Sequence, residues 1–182
     1  MSRPYDDEFD AFMTASWASL FRAAMLMTGD FHAAEDLLQA SMAKVYRAWP
    51  RVSRVDHPRA YARTVMTNEA ISWSRRRSSG ERPVDHWPDQ ATPGHEERVT
   101  ETEQVRRLLQ LLSPRQRAVV VLRYYEDMSE VEIAAALGIS QGSVKSHAHH
   151  ALRMLERLVT AEAEADADLD VDVDVESKGG QP

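Results

Sequence analysis

The chain has 182 residues, enough for one medium domain or two small ones, and its 43% hydrophobic content with only 7 glycines and 8 prolines suits globular folding. It contains no cysteine, which excludes disulfides, zinc sites with cysteine ligands and thiol catalysis. The formal net charge of −7 arises at the end of the chain, because residues 161–182 hold eight acids and one lysine, and 21 acids and 21 bases precede them.

The amino terminus lacks an apolar signal core, and no later run approaches the roughly 20 apolar residues that a membrane span needs. We therefore expect a cytoplasmic protein with no membrane contact. Residues 51–82 carry eight arginines against three acids, whereas residues 1–50 have a net charge of −3. Basic and acidic segments that alternate in this way are typical of separate nucleic-acid and protein surfaces, although ordinary surface charge remains an alternative.

The first part of the chain predicts a bundle of three helices over residues 6–78. Apolar residues recur at helical spacing up to Gly29, where the first helix should end. Asp30 suits the N-cap of a second helix that ends near Trp49 and Pro50, and Pro58 suits the first turn of a third, basic helix. We expect the first two helices to pack as an antiparallel pair.

A second domain is predicted over residues 103–160. Residues 79–102 contain prolines, glycines and acidic residues but no periodic pattern of apolar residues, which predicts a flexible linker. Ser113 starts a capping-box helix that runs to about Tyr125, Ser129 starts a second, and Ser140 can cap the last helix. The alternation of small apolar and acidic residues that follows, over residues 161–182, predicts a disordered acidic tail.

A helix-turn-helix pattern lies within this second domain. Ala134, Gly138 and Val144 follow one another at intervals of four and six residues. This spacing suits a helix-turn-helix, in which a small residue lets the helices approach, a glycine makes the turn and an apolar residue anchors the second helix. On the outer face of that second helix, Lys145 could bond a guanine edge or a phosphate, with Gln141, Ser143 and Ser146 on the DNA backbone. A helical hairpin that never meets DNA is the structural alternative.

The run Leu-Ser-Pro-Arg-Gln-Arg-Ala-Val-Val-Val-Leu-Arg-Tyr-Tyr-Glu-Asp-Met-Ser-Glu and the following Ile-Ala-Ala-Ala-Leu-Gly-Ile-Ser-Gln-Gly-Ser-Val-Lys-Ser, within residues 112–146, resemble the fourth conserved region of sigma factors. Ala-Glu-Asp-Leu-Leu-Gln-Ala at 34–40, Tyr-Arg-Ala-Trp at 46–49 and Ser-Trp-Ser-Arg-Arg-Arg at 72–77 resemble region two. Both halves stand in the expected order without room for regions one or three. The chain thus resembles the short, actinobacterial type of extracytoplasmic-function sigma factor in the sigma-70 family.

The resemblance implies an all-α protein of two small helical domains, a flexible linker and a disordered tail, which directs core RNA polymerase to promoters and helps to open them. On this resemblance the protein is not expected to be an enzyme or to need a cofactor or a small-molecule substrate. Region two would grip the clamp helices of the polymerase. The residues that the resemblance implicates there are Asp36, Leu37, Leu38, Gln39 and Trp49.

The resemblance also implies two sets of DNA contacts. The third helix would melt and hold the minus-ten strand through Arg63, Asn68, Ser72, Trp73, Arg75 and Arg76. Trp73 could equally be a core residue and Asn68 a surface amide. The last helix would enter the minus-thirty-five element with Gln141, Ser143, Lys145, Ser146, His149, His150 and Arg153. At positions 147 and 150 this chain has histidine where relatives often carry arginine. A neutral imidazole lacks the fixed charge of arginine, which predicts that DNA binding strengthens as the pH falls.

The sequence also admits three alternative hypotheses. A metal site at His147, His149 and His150 is disfavoured because no two of them are four residues apart and no cysteine or nearby carboxylate completes the set. A conventional helix-turn-helix regulator that never joins polymerase explains only the second half of the chain. The tail could act as a DNA mimic, although solvated disorder is the simpler interpretation, and the existence of an anti-sigma partner is left open.

Overall fold

Seven α-helices and one π-helical turn make up the part of the chain that the computed structural model describes, residues 5–54, 57–78 and 101–176, with no strand among them. The helices are α1 (Asp6–Thr28), α2 (Phe31–Val52), α3 (Pro58–Ser78), α4 (Glu101–Gln110), α5 (Pro114–Val120), α6 (Glu130–Leu137) and α7 (Gln141–Glu176). Side chains are described up to Arg76 and from Thr102 to Glu162 within these ranges. The predicted linker lies outside the described residues except at positions 101 and 102, and so do residues 177–182 of the predicted tail.

The first bundle, α1 to α3, has the boundaries that its turn chemistry dictates. Gly29 adopts a left-handed conformation with φ 79° and donates its N–H to the carbonyl of Met25, which ends α1. Asp30 Oδ1 then accepts a hydrogen bond of 2.8 Å from Ala33 N and caps α2, as predicted. Inside the bundle, Trp49 is 2% exposed and packs against Phe9 with ring centroids 5.1 Å apart.

The second bundle, α4 to α7, is organised by serine caps. Ser113 and Ser129 each form the predicted capping box, with Gln116 and Glu132 as the reciprocal partners. Ser140 Oγ accepts a hydrogen bond of 3.0 Å from Ser143 N at the start of α7. Each such cap contributes about 1 kcal/mol to helix stability. The sequence patterns did not reveal α4, which precedes the first of these caps.

A π-helical turn, Val121–Tyr125, continues α5 to the residue where the sequence predicted that helix to end. The N–H of Glu126 bonds the carbonyl of Val121 at 3.1 Å, five residues back, and Asp127 follows with φ 51°. The wider turn leaves Tyr124 and Tyr125 exposed while Glu126 is 9% exposed. A charged residue is therefore directed towards the protein interior at this point.

The two bundles pack against each other, and their buried residues form one continuous hydrophobic core. Helix α1 contacts α4, α5 and the π-turn, and α3 contacts α5 and α6. The sequence predicted both bundles but not this arrangement. The backbone of α7 is helical to Glu176, beyond the predicted domain end at residue 160. No described helix is both long and apolar enough to cross a membrane.

Candidate nucleic-acid and protein interfaces

The helix-turn-helix is formed by α6 and α7. Gly138, with φ 62°, makes the turn, and its N–H bonds the carbonyl of Ala134. Ile133 from α6 and Val144 from α7 are fully buried against the rest of the bundle. The first turns of α7 are therefore held rigidly at the surface, which is the geometry that insertion into a major groove requires.

The outer face of α7 is polar and accessible. The predicted residues at positions 141, 145, 146, 149, 150 and 153 are all exposed, whereas Ser143 is half-buried. Ser143 Oγ lies 2.9 Å from Ser140 Oγ, so it completes the helix start rather than projecting outward. The structure thus brings together Gln141, Lys145, Ser146, His149, His150 and Arg153 on one accessible surface.

Lys145 is oriented by an acidic residue that the sequence analysis did not single out. Its Nζ lies 3.6 Å from Glu130 Oε2, while Arg123 Nη1 donates a hydrogen bond of 2.7 Å to Glu130 Oε1. The hydrogen bond from Arg123 and the charge of Lys145 lower the pKa of Glu130 against the opposing effect of desolvation. Glu130 therefore stays ionised, and Lys145, 67% exposed at its side chain, remains available to DNA.

The histidines of α7 differ in their surroundings. Burial, the charge of Arg115 and the neighbouring His150 lower the pKa of His147 below its ordinary 6.5, which favours a neutral ring at pH 7. His149 and His150 are exposed, with ring centroids 5.9 Å apart. The lowered pKa of His147 opposes the predicted strengthening of DNA binding at lower pH at this position. Among the described side chains, no cluster of three metal-ligating residues occurs.

Helix α3 carries its predicted minus-ten residues in two groups. Arg63 and Asn68 face the second bundle, where Arg63 Nε lies 2.5 Å from Glu126 Oε2 and Asn68 Nδ2 donates to the carbonyl of Ala136 at 2.9 Å. The other four predicted residues lie in the last two turns of the helix. Ser72 and Trp73 are half-buried, and Arg75 and Arg76 are exposed.

Glu69 connects the basic end of α3 to α2. The sequence analysis did not single out this residue. It accepts a hydrogen bond of 2.7 Å from Trp73 Nε1, pairs with Lys44 of α2, and lies 3.3 Å from Arg76. Burial alone would raise the pKa of Glu69, but the hydrogen bonds from Lys44 and Trp73, with the positive charges of Lys44 and Arg76, lower it. Glu69 thereby fixes Trp73, which also packs on the core, and restrains Arg76.

The predicted polymerase contact on α2 divides into surface and core. Asp36 and Gln39 are exposed, while Leu37 and Leu38 are fully buried and Trp49 is 2% exposed. Helical periodicity explains the division, because the buried positions of α2 share the face towards α1 and α3. In this structure the three apolar residues belong to the hydrophobic core and not to the surface.

Known protein families match both bundles. Sigma-70 region 2 matches residues 18–80, and Sigma-70, region 4 matches residues 102–155. The RNA polymerase sigma-E factor of Streptomyces coelicolor is 39% identical over 160 residues, which are 85% of this chain and 88% of that protein. This chain belongs to the sigma-70 family. Its sigma-70 regions 2 and 4 correspond to the first and second bundles.

A further relative of this sigma-70 family member is named for the subfamily that the sequence suggested, and two solved structures share the fold. The ECF RNA polymerase sigma factor SigL of Mycobacterium tuberculosis is 33% identical over 143 residues, 76% of this chain and 81% of that protein. The solved sigma factor RpoE, in complex with the anti-sigma factor NepR from Bartonella quintana, has a TM-score of 0.66 at 21% identity and covers 84% of this chain and 97% of that one. CnrH in complex with the cytosolic domain of CnrY gives a TM-score of 0.57 at 23% identity, with coverages of 84% and 88%.

Proposed function

We propose that this chain is an RNA polymerase sigma factor of the extracytoplasmic-function type, which joins bacterial core RNA polymerase, directs it to specific promoters and assists their opening. The match of both sigma-70 regions, in order and over most of the chain, carries this proposal. RNA synthesis stays with the polymerase, so the chain needs no catalytic site. Its place of action is the cytoplasm, where the polymerase works.

The two bundles divide the DNA contacts in this proposal. The exposed polar face of α7 enters the major groove of the minus-thirty-five element, and its buried Val144 anchors the helix during contact. The basic end of α3, from Ser72 to Arg76, holds the non-template strand of the minus-ten element through phosphate contacts and base stacking. Glu69 supports this task by fixing the indole of Trp73.

The protein contact lies on α2, where Asp36 and Gln39 are exposed above a rigid apolar core. The negative charge of Asp36 suits a positively charged partner surface, because opposite charges steer the association of two proteins. An anti-sigma protein is a further proposed partner, because the sigma factors RpoE and CnrH were solved with NepR and CnrY respectively. The comparisons do not favour a conventional helix-turn-helix regulator, which would leave the region 2 match unexplained.

Run-off transcription tests the proposal. Sigma-free bacterial core polymerase is combined with promoter fragments selected from the genome that encodes this chain, with and without the purified protein. We expect transcripts only when the protein is present, and loss of transcripts and of core binding for Asp36→Lys. Asp10→Lys, an exposed charge reversal on α1, is the matched control and should keep both activities. Retained duplex binding without core binding or transcripts would favour the regulator instead.

A further inference from the structure

A row of aromatic rings lies on the surface where α1 meets the start of α2. Trp17 and Phe21, four residues apart on α1, have ring centroids 6.3 Å apart and ring planes inclined by 8°. Phe21 contacts Phe31 of α2 edge to face at 5.2 Å, and the Phe31 ring lies 5.7 Å from that of His32. Trp17 is 37% exposed and Phe31 is 55% exposed. These four residues are named the aromatic row.

The helix itself does not require aromatic side chains at the start of α2. Phe31 and His32 directly follow the N-cap residue Asp30, and the first turn of α2 holds no acidic residue. An acidic side chain at this place would interact favourably with the helix dipole, whereas phenylalanine and histidine are weaker helix formers than alanine or glutamate. Single exposed apolar residues are common, but a patch of adjoining apolar rings is typical of a surface that binds another protein.

The aromatic row adjoins the polymerase contact proposed on α2. Asp36 follows His32 by four residues, so the two side chains are neighbours on one face of the helix, and both are exposed. Phe31 lies five residues before Asp36, which is about 7.5 Å along the helix axis. The aromatic row and Asp36 therefore form one continuous surface with an apolar part and an acidic part.

This surface fits a partner that is apolar at one point and basic at the next. Residues 1–50 have a net charge of −3, which steers a basic partner towards Asp36. We propose that the aromatic row is the apolar half of the surface that binds core RNA polymerase. The polymerase segment that places a basic residue against Asp36 packs an apolar side chain on Phe31, the most exposed ring of the row. This inference rests on the proposed function and adds the aromatic row to its polymerase contact.

Equilibrium binding of the full chain to sigma-free core polymerase tests the proposal, with a fluorophore at the amino terminus as the probe. We expect Phe31→Ala to weaken binding about tenfold, because aromatic anchors contribute much of the binding energy of an interface. Phe31→Leu keeps an apolar side chain and should weaken binding less than about threefold. Tyr124→Ala removes a ring that is also 55% exposed, but from the π-turn, and is the control that should bind as the natural chain does. Circular dichroism checks that each variant is folded.

The salt dependence of binding distinguishes the apolar contact from the acidic one. The loss of affinity in Phe31→Ala should stay the same between about 0.1 and 0.5 M salt, whereas the loss in Asp36→Ala should shrink as salt screens the charge. Trp17→Ala changes the same row from the other helix and should weaken binding about threefold, also independently of salt. Full affinity in both Phe31→Ala and Trp17→Ala would overturn the inference.

The outcomes also separate this inference from the proposed function. If Asp36→Lys abolishes core binding and Phe31→Ala leaves it unchanged, polymerase binding stands and the aromatic row has no part in it. Sedimentation of the free chain examines a second copy as the occupant. A dimer that disappears in Phe31→Ala, with core binding unchanged, would assign the row to self-association and overturn the inference. If the natural chain does not bind core polymerase at all, the proposed function itself fails.

Discussion

The guanidinium of Arg117 in α5 donates a hydrogen bond of 2.6 Å to the carbonyl oxygen of Met27, in the last turn of α1. The same side chain donates to the carbonyls of Leu109, Gln110 and Leu112 at the end of α4. One half-buried cation therefore satisfies carbonyls at two helix ends, which otherwise lack intrahelical partners. Burial lowers the pKa of Arg117, yet an arginine remains charged at any physiological pH.

Replacement of Arg117 by lysine should weaken the joint between the bundles. Lysine keeps the charge but cannot aim donors at four separate carbonyls, so we expect Arg117→Lys to lower the free energy of unfolding by about 2–3 kcal/mol. Urea denaturation followed by circular dichroism measures the change. Arg115→Lys, an exposed position in the same helix, is the control and should shift stability by less than about 0.5 kcal/mol. Equal losses in both variants would show that the carbonyl contacts are not responsible.

Glu69 offers a prediction about the basic end of α3. Glu69→Gln removes the negative charge between Lys44 and Arg76 and weakens the hydrogen bond to Trp73. Because charge-assisted hydrogen bonds to a mostly buried carboxylate are lost, we expect a fall of about 1–2 kcal/mol in stability. Promoter opening by the polymerase, followed by permanganate reactivity of unpaired thymines, should fall severalfold, while duplex binding by the second bundle stays unchanged. Glu35→Gln, a half-buried position on α2, serves as the comparison. An unchanged rate of promoter opening would show that opening does not depend on the contact between Glu69 and Trp73.

Local turn chemistry made much of this fold predictable. Gly29, Asp30, Ser113 and Ser129 act through their own backbone neighbours, and the structure places each in its predicted cap or turn. Such signals are contained within a few residues, so the sequence alone displays them. Two further signals are local in the same way: the periodic spacing of apolar residues in α1 and α2, and the spacing of the helix-turn-helix residues.

What the sequence did not reveal depends on partners distant in the chain. No local pattern singles out Arg117, because its acceptor on Met27 lies 90 residues away. No local pattern singles out Glu126 either, because the π-turn that precedes it directs it towards Arg63, 63 residues away. For Leu37 and Trp49, the family resemblance suggested partner contact, whereas their helical phase, read by itself, would have indicated the core.

Lys145 provides a test of how α7 meets DNA. If its ammonium contacts a phosphate, Lys145→Ala should weaken binding of a duplex about fivefold to tenfold for every sequence, and lower the slope of log affinity against log salt by about 1. A contact to a guanine edge would instead weaken the cognate sequence selectively. Arg47→Ala removes one exposed positive charge from α2 and should leave both quantities unchanged. Unaltered affinity and slope in Lys145→Ala would show that Glu130 retains the lysine in the complex.

His147 gives the chain a defined response to acid. Burial and the charges of Arg115 and His150 lower its pKa when folded, so as the pH falls below the ordinary 6.5 the unfolded chain takes up a proton first. Stability must therefore decrease on acidification through this window, and the contribution is absent at higher pH, where the ring is neutral in both states. We expect the free energy of unfolding to fall between about pH 7.5 and 5.5, with a smaller fall in His147→Gln. His149→Gln, on the exposed face of the same helix, should keep the fall of the natural chain, and an identical pH dependence in all three proteins would assign the acid response to other groups.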